Sequence, residues 1–277
     1  MRFGALLIHG VKYPYAVRDD GRRILTAYAG RDVAALVELS RDDLQGLAAG
    51  GEPIGSDVGV LLPPLRPGKI VAIGLNYMDH VRETGMEAPS TPLVFAKFPS
   101  SVCAGGQPIR VDSTLTERVD WEVELAVVIG EGGRDIRADG AQRHIFGYAV
   151  ANDVSARDLQ FRDGQWVRGK SLDGFCPLGP HVVTADEVPD PQDLRLRTTV
   201  NGAVVQESST AEMIFSVLEL IEFCSHSFTL DAGDVILTGT PWGCGEFMNP
   251  RRSMQDGEIV EVSVDGIGAL TNRVEIY

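Results

Sequence analysis

Two glutamates, Glu122 and Glu124, stand in a segment that is otherwise rich in apolar and β-branched residues. Their alternation with Val123 and Leu125 predicts a strand over residues 120–129, with both carboxylates on one face. Neighbouring carboxylates repel each other when they lose water, so a bound cation, a buried Lys or Arg, or a shared proton must offset the repulsion. The alternative is a solvent-exposed face on which both glutamates are simply hydrated.

A third carboxylate, Asp153, follows residues 145–152, an apolar segment that predicts another buried strand. Three carboxylates on rigid elements suit a hard cation such as Mg²⁺ or Mn²⁺, which keeps positions open for water and a substrate. Zn²⁺ is disfavoured because no His or Cys accompanies the acids. We therefore predict that Glu122, Glu124 and Asp153 bind Mg²⁺ or Mn²⁺, and that Ca²⁺ can replace these ions in crystals.

His80 and Glu83 lie three residues apart in a segment that predicts a short helix, capped by Asn76 and ended by Gly85. At this spacing the two side chains can form a hydrogen bond, and a histidine oriented by a carboxylate is a common general base. The alternative is an ordinary pair on the protein surface. The loop-like residues 85–92 that follow would let the helix move as a lid.

Basic side chains for an anionic ligand are available at Lys97, Arg157 and Lys170, although each can equally be an isolated surface residue. The chain as a whole has a formal net charge of −14 and no run rich in Lys and Arg. We therefore expect neither nucleic acid nor a membrane as a partner. A small anionic substrate remains compatible with this charge if a cation or basic residues surround it.

The chain has 277 residues, of which 44% are hydrophobic, enough for a small domain followed by a larger one. Residues 1–68 combine short strand candidates with predicted helices at 33–39 and 42–48, and they contain no recognisable chemistry. Residues 69–277 are dominated by predicted strands. We expect a mixed α+β, β-rich fold, with a small N-terminal α/β domain over 1–68 and a catalytic domain over 69–277.

The clearest helix of the second part is predicted over residues 210–224, with Ser209 and Glu212 as its capping box. The four cysteines are scattered, which disfavours a disulfide framework and a cysteine-based zinc site. The apolar run at the N-terminus is too short for a signal peptide, and no segment is long enough for a transmembrane helix. These features predict a cytoplasmic protein.

Five motifs between residues 69 and 277 occur in an order that resembles the fumarylacetoacetate hydrolase family, in particular its two-part bacterial members. The motifs are Gly-Leu-Asn-Tyr-x-Asp-His (Gly74–His80), Asp-x-Glu-x-Glu-Leu (Asp120–Leu125), Gly-Tyr-x-x-x-Asn-Asp-x-Ser-Ala-Arg-Asp-x-Gln (Gly147–Gln160), Lys-Ser-x-Asp-x-x-x-Pro-Leu-Gly-Pro (Lys170–Pro180) and Thr-Gly-Thr-Pro (Thr238–Pro241). Relatives of this type include acylpyruvate hydrolases and hydroxymuconate isomerase-decarboxylases.

The resemblance implies a rolled β-sheet around the site and a homodimer. By similarity, Glu122, Glu124 and Asp153 would bind the divalent metal. The dyad that activates water or moves a proton would be His80 with Glu83. The remaining site residues are implied to lie beside the metal or the substrate: Lys170 near both, and Arg157, Gln160, Thr240 and Lys97 in substrate binding.

The function implied is a metal-dependent hydrolase that cleaves a carbon–carbon bond in a 2,4-dioxo acid of the acylpyruvate type through a stabilised enolate. Such reactions belong to the catabolism of aromatic or sugar acids. The alternatives are a decarboxylase or an isomerase of a 2-oxo or 2-hydroxymuconate-type acid on the same scaffold, and a binding protein without catalysis.

One segment departs from the family, which commonly continues Thr-Gly-Thr-Pro with x-Gly-Val-Gly. In this chain Trp242-Gly243-Cys244-Gly245 follows, and we expect Trp242 to reshape the wall of the pocket. Cys244 can be interpreted as a nucleophile, but no His lies near it in the sequence. A small packing residue is the favoured interpretation.

Overall fold

A large β-sheet forms the framework of the protein, in a computed structural model that describes residues 1–18, 20–51, 53–55 and 57–277. The mixed α+β, β-rich fold expected from the sequence is confirmed. Within the described residues, no helix has the length and apolar character needed to cross a membrane.

Short strands and helices alternate along the whole chain. Up to residue 68 they are β1 (Arg2–Ile8), β2 (Val11–Val17), β3 (Arg23–Leu25), α1 (Arg41–Gly50), β4 (Pro53–Ile54) and β5 (Val60–Leu62). From residue 69 to 170 they are β6 (Ile70–Gly74), α2 (Met78–Thr84), β7 (Leu93–Lys97), β8 (Val102–Cys103), β9 (Ile109–Val111), β10 (Val119–Asp120), β11 (Val123–Ile129), β12 (Ile145–Asn152), β13 (Ser155–Ala156), α3 (Arg157–Asp163) and α4 (Val167–Lys170). The rest are β14 (Cys176–Thr184), β15 (Arg195–Val200), β16 (Ala203–Ser209), α5 (Val217–Ser227), β17 (Val235–Leu237), β18 (Ile259–Val264) and β19 (Gly268–Ile276).

The large sheet has the strand order β4-β3-β2-β1-β14-β12-β11-β17-β6-β7, with β5 on β1 and β8 on β14. A second sheet, β16-β15-β18-β19-β9, packs near it, and β10 pairs with β13. Strand β1 pairs with β14, Phe3 opposite Val182, so the N-terminal residues extend the sheet that contains β11 and β12. The division of the chain at residue 68 stays a prediction.

Strand β11 is buried on both faces, which explains its nearly continuous apolar sequence. One face packs in a core with α5 and the second sheet, through Val123, Leu125, Val127 and Ile129. The other face packs in a core with the N-terminal residues, through Ala126 and Val128. Glu124 belongs to this second face by alternation, and its side chain is buried.

The strand predicted over residues 120–129 is wrong at its start, because β11 begins only at Val123. Side chains replace the strand partners at this point. The Asn152 side-chain oxygen accepts the backbone N–H of Glu122 at 2.9 Å, and Asp120 Oδ1 accepts that of Trp121 at 2.9 Å. Residues 121 and 122, between β10 and β11, are therefore held by side chains and not by a neighbouring strand.

The predicted start of the long helix is also wrong. Ser209 caps only a short 3-10 turn, Thr210–Glu212, and α5 begins after Ser216, which forms a capping box with Glu219. Asn76 explains the interruption, because its backbone and side-chain oxygens accept the N–H groups of residues 214 and 215 at 2.8 and 2.9 Å. The chain thus contains two successive capping sequences, at Ser209 and at Ser216. Because of the contacts with Asn76, the long helix starts at the second.

Other helix predictions differ in detail. The helix predicted over 33–39 is a 3-10 turn, Val33–Ala35, whereas α1 contains the predicted 42–48. Helix α2 ends at Gly85 as predicted, but Asn76 does not cap it. The Asn76 amide donates instead to Thr238 O at 2.8 Å and Phe215 O at 3.1 Å.

We predict that Ser216→Ala lowers the free energy of unfolding by about 1 kcal/mol, because an N-cap hydroxyl satisfies a backbone N–H that otherwise lacks a partner. Urea denaturation measures the change. The matched control is Ser227→Ala at the exposed end of the same helix, for which we expect a change within about 0.5 kcal/mol. Equal losses in the two variants would contradict the assigned helix start.

Candidate active site

Three carboxylates meet where β11 begins and β12 ends. Glu122 directly precedes the first of these strands, Glu124 belongs to it, and Asp153 directly follows the second. Because the strands are antiparallel, with Val123 opposite Asn152, their adjoining ends bring the acids together. One oxygen from each carboxylate lies within 4.8 Å of the other two, and all three residues are buried. The structure thus brings together the three acids that the sequence predicts as one group.

Burial and neighbouring charges move the pKa values of the two glutamates in opposite directions. Burial disfavours the ionised form of Glu122, but the positive charges of Lys170 and Arg157 outweigh it and lower its pKa to about 2. The pKa of Glu124 is raised well above its usual value, first by burial and then by the negative charges of Asp153 and Glu122. Both effects disfavour a negative charge on Glu124.

Lys170 bridges two of the acids from the end of α4. Its Nζ donates to Glu122 Oε2 at 2.6 Å and to Asp153 Oδ2 at 2.8 Å. Burial opposes the charge on the ammonium group, but attraction by the two carboxylates outweighs burial and raises the Lys170 pKa. The side chain is thus held in its charged form between the acids.

Arg157 carries a second positive charge into the group. It lies 2.6 Å from Glu122 Oε1 and donates to Asp120 Oδ2 through Nε and Nη2 at 2.9 and 2.7 Å. Its Nη1 also donates to Gln160 Oε1 at 3.0 Å. Sequence reasoning misses Asp120 as a site residue, although the Asp-x-Glu-x-Glu motif contains it. Asp120 holds the guanidinium in place and also accepts the backbone N–H of Gly245 at 2.8 Å.

Lys97 approaches the group through Asp153. Its Nζ lies 2.6 Å from Asp153 Oδ1, donates to Val154 O at 3.3 Å and is also hydrogen-bonded to Lys170 O. Through these contacts Lys97 holds the Asp153 carboxylate and the C-terminal end of α4 in place. Its assignment to substrate contact stays a prediction.

The donor set fits a divalent cation. Three buried carboxylates supply oxygen ligands on rigid elements, which suits hard metal ions. Burial and the negative charges of Asp153 and Glu122 raise the pKa of Glu124, and a bound cation would oppose this effect. Glu122, Glu124 and Asp153 can therefore hold a metal ion.

His80 and Glu83 form the predicted pair on α2. The distance between His80 Nδ1 and Glu83 Oε2 is 2.8 Å, and the side chains are only 10% and 16% exposed, unlike an ordinary surface pair. Because a carboxylate only accepts, the shared proton belongs to Nδ1, and Nε2 keeps a lone pair in the neutral ring. Glu83 Oε1 accepts the Gly243 N–H at 2.9 Å, and the imidazole packs edge-on against Phe247.

A cavity of about 90 Å³ joins these groups. The predicted site residues that line it are His80, Glu122, Glu124, Arg157, Gln160, Lys170 and Thr240. Three predicted site residues, Glu83, Asp153 and Lys97, do not line the cavity. Each of them is hydrogen-bonded to a residue that does, Glu83 to His80 and the other two to Lys170. The loop after β17 carries Thr240 into the lining, and in that loop the Gly239 N–H donates to Glu124 Oε2 at 2.7 Å.

Aromatic side chains close the cavity, and sequence reasoning misses them. Phe95 and Trp166 meet edge to face with their ring centroids 5.3 Å apart, and Phe161 and Phe247 complete the wall. These residues come from four different segments with no shared spacing. Only the tertiary structure reveals them as one wall.

Trp242 does not form part of this wall. Its side chain is 43% exposed, and the indole N–H donates to Glu207 O at 3.1 Å. The expectation that Trp242 reshapes the pocket is therefore wrong, because the loop turns its side chain toward the surface. Cys244 is fully buried, and burial raises the pKa of its thiol well above the usual value, as a packing residue requires.

The fold and the cavity define an enzyme-like site, in which a buried acidic cluster able to hold a metal ion faces a histidine–glutamate pair. Residues 69–275 match the family described as fumarylacetoacetate (FAA) hydrolase C-terminal. The chain therefore belongs to the fumarylacetoacetate hydrolase family, as the sequence motifs indicate.

Two similar relatives are named as oxaloacetate tautomerases. The mitochondrial oxaloacetate tautomerase fahd2 of Xenopus laevis is 45% identical over 221 residues, which cover 79% of this chain and 69% of the relative. The human mitochondrial oxaloacetate tautomerase FAHD2A is also 45% identical over 221 residues, covering 79% of this chain and 70% of the relative.

Solved structures are similar over the whole chain. A fumarylacetoacetate hydrolase from psychrophilic Exiguobacterium antarcticum has a TM-score of 0.90 at 37% identity, with 100% of both chains covered. A 5-carboxymethyl-2-hydroxymuconate delta-isomerase from Mycobacterium smegmatis has a TM-score of 0.84 at 36% identity, again with 100% of both chains covered. The named reactions differ, so family membership does not define the reaction.

We predict that Glu124→Gln weakens Mg²⁺ and Mn²⁺ binding by at least about tenfold, because a neutral amide replaces one of three anionic ligands. Calorimetric titration of the metal-free protein measures the affinity without relying on turnover. Glu131→Gln, an exposed acid just beyond β11, is the matched control and should bind the ions like the unaltered protein. Equal affinities in all three proteins would exclude Glu124 as a ligand.

Proposed function

We propose that the protein is an enzyme that interconverts the enol and keto forms of a small 2-oxo acid of the oxaloacetate type. The observation that carries this proposal is the position of His80. It lines the same small cavity as Glu122, Glu124, Arg157 and Lys170, so a group that can move a proton faces an anchor for an anion. The names of the 45%-identical relatives support the same reaction.

The acid is held by charge and by hydrogen bonds. Arg157 and Lys170 provide buried positive charge in a chain with a net charge of −14, and both line the cavity. Gln160 and Thr240 line it as well and offer polar groups to a carboxylate. A Mg²⁺ or Mn²⁺ ion bound by the three carboxylates would supply a Lewis acid beside the oxygen at C2.

His80 moves the proton. Its Nε2 takes a proton from C3 of the keto acid, the electron pair of that C–H bond forms the C2–C3 double bond, and the C2 oxygen becomes negative. Return of the proton from His80 Nε2 to that oxygen completes the enol and restores the neutral imidazole, and the reverse sequence restores the ketone. Glu83, bonded to Nδ1, orients the ring and stabilises its protonated form. The aromatic wall adds apolar surface beside these groups.

The size of the cavity favours a short substrate. A volume of about 90 Å³ favours a compact acid over a longer hydroxymuconate-type acid. The second candidate is hydrolysis of a 2,4-dioxo acid, which the same His80–Glu83 pair favours because a histidine oriented by a carboxylate can also activate water. The homodimer stays a prediction. So does the cytoplasmic location, since the tautomerases of Xenopus laevis and human are mitochondrial by name.

A panel of acids with Mg²⁺ separates these reactions. We expect the fastest reaction to be the loss of enol absorbance from freshly dissolved oxaloacetate. Cleavage of an acylpyruvate, decarboxylation of oxaloacetate and isomerisation of a hydroxymuconate-type acid should all be slower. Excess chelator should remove the tautomerase activity. Faster cleavage of the acylpyruvate would instead establish the hydrolase, and no turnover of any acid would favour a binding protein.

We predict that His80→Ala lowers the tautomerisation rate by about 10²- to 10⁴-fold, because the proton loses its carrier, while Mg²⁺ binding is retained. Stopped-flow absorbance and calorimetric titration measure the two properties. His226→Ala is the matched control, since this histidine is exposed and paired with Asp135 outside the cavity. A His80→Ala protein as active as the control would show that another group moves the proton.

A further inference from the structure

Gln206 is a fully buried amide that connects the acidic cluster with the loop that carries Thr240. It lies on β16 with an exposed fraction of 0%. Its Oε1 accepts the backbone N–H of Val123, the residue between the two glutamates, at 3.1 Å. Its Nε2 donates to Thr240 Oγ1 at 3.0 Å and to Pro241 O at 3.1 Å. Proton transfer by His80 does not require this side chain.

The partners of Gln206 determine which end of the amide is the oxygen. The Val123 N–H can only donate, so the side-chain atom that faces it must be Oε1. The Thr198 hydroxyl also donates to Oε1, at 2.7 Å, and the Pro241 carbonyl can only accept. The NH₂ group therefore faces Thr240, and the amide cannot be reversed without opposing like groups at both ends.

This orientation also determines the direction of the Thr240 hydroxyl. An NH₂ group cannot accept, so the Thr240 oxygen must accept from Gln206 and its single proton must point elsewhere. Among the described residues, the hydrogen bond that the Thr240 hydroxyl forms is the one with Gln206. Thr240 lines the cavity, which is where an acceptor can reach the proton.

We propose that Gln206 is a positioning residue that makes the Thr240 hydroxyl a hydrogen-bond donor toward a carboxylate of the 2-oxo acid. The inference rests on the proposed function for the identity of the ligand. A free hydroxyl can turn either its proton or its lone pairs to a ligand, whereas a carboxylate only accepts. Because Gln206 keeps the Thr240 hydroxyl from offering its lone pairs to the ligand, it favours an anionic acceptor in a cavity that also contains acidic side chains.

The test is a double-mutant cycle on Gln206 and Thr240. In Gln206→Glu an acceptor replaces the NH₂ group, so the Thr240 proton turns toward it and away from the substrate. We expect KM for oxaloacetate to rise about tenfold, with kcat changed less than about twofold. Thr240→Val should raise KM by a similar factor. Adding Gln206→Glu to Thr240→Val should change KM by less than about twofold, because no hydroxyl remains to be turned.

Further variants separate this role from a general effect of charge or folding. Gln192→Glu is the matched control, because Gln192 also accepts a backbone N–H, that of Val217 at 2.9 Å, but lies outside the cavity lining. Its KM should equal that of the unaltered enzyme. Thr240→Ser retains the hydroxyl, so Gln206→Glu should still raise KM in the Thr240→Ser background. If Gln206→Glu does not fold, Gln206→Met should raise KM about threefold, and only when Thr240 is present.

Two results would overturn the inference. One is an unchanged KM in Gln206→Glu, and the other is an equal rise in KM with and without the Thr240 hydroxyl, which would indicate a direct charge effect. In both cases the unaltered enzyme is active and the proposed function stands. If the unaltered protein neither turns over nor binds any 2-oxo acid in calorimetry with Mg²⁺, the proposed function fails and this inference fails with it.

Discussion

Positive charge buried among carboxylates is the interaction on which the rest of this structure depends. Glu122, Glu124 and Asp153 lie in the interior, where an unpaired charge costs several kcal/mol. Lys170 and Arg157 offset part of that cost, and a divalent ion at the three acids would offset more. The fold must therefore bring α3, α4 and the ends of β11 and β12 to one point, and the short helices serve this purpose.

The same group of charges organises the loop after β17 and the helix α2. Glu124 accepts the N–H of Gly239, and Glu83 accepts that of Gly243, so carboxylates hold both ends of the loop that carries Thr240. Gln206 adds a neutral link from β11 to the middle of this loop. Hydrogen bonds therefore connect the acids with the Thr240 hydroxyl and with the helix that carries His80.

A site of this kind can stabilise an enolate without specifying what happens to it. Tautomerisation, isomerisation, decarboxylation and carbon–carbon cleavage all require negative charge on the oxygen at C2 of a 2-oxo acid. The differences between these reactions must then depend on the rest of the cavity, which in this chain is lined by the aromatic wall and residues of α2. This division explains why related proteins with similar folds carry different reaction names.

The sequence by itself determined the acidic residues, the His80–Glu83 pair, the basic candidates and the β-rich character, because motif spacing and alternation are local properties. It also indicated the family. Only the tertiary structure decided that α5 starts at Val217 and β11 at Val123, since side chains distant in the sequence, such as Asn76 and Asn152, compete for the backbone groups there. It likewise assembled the aromatic wall, turned Trp242 outward and connected Gln206 to Thr240, because these contacts join segments that no sequence period relates.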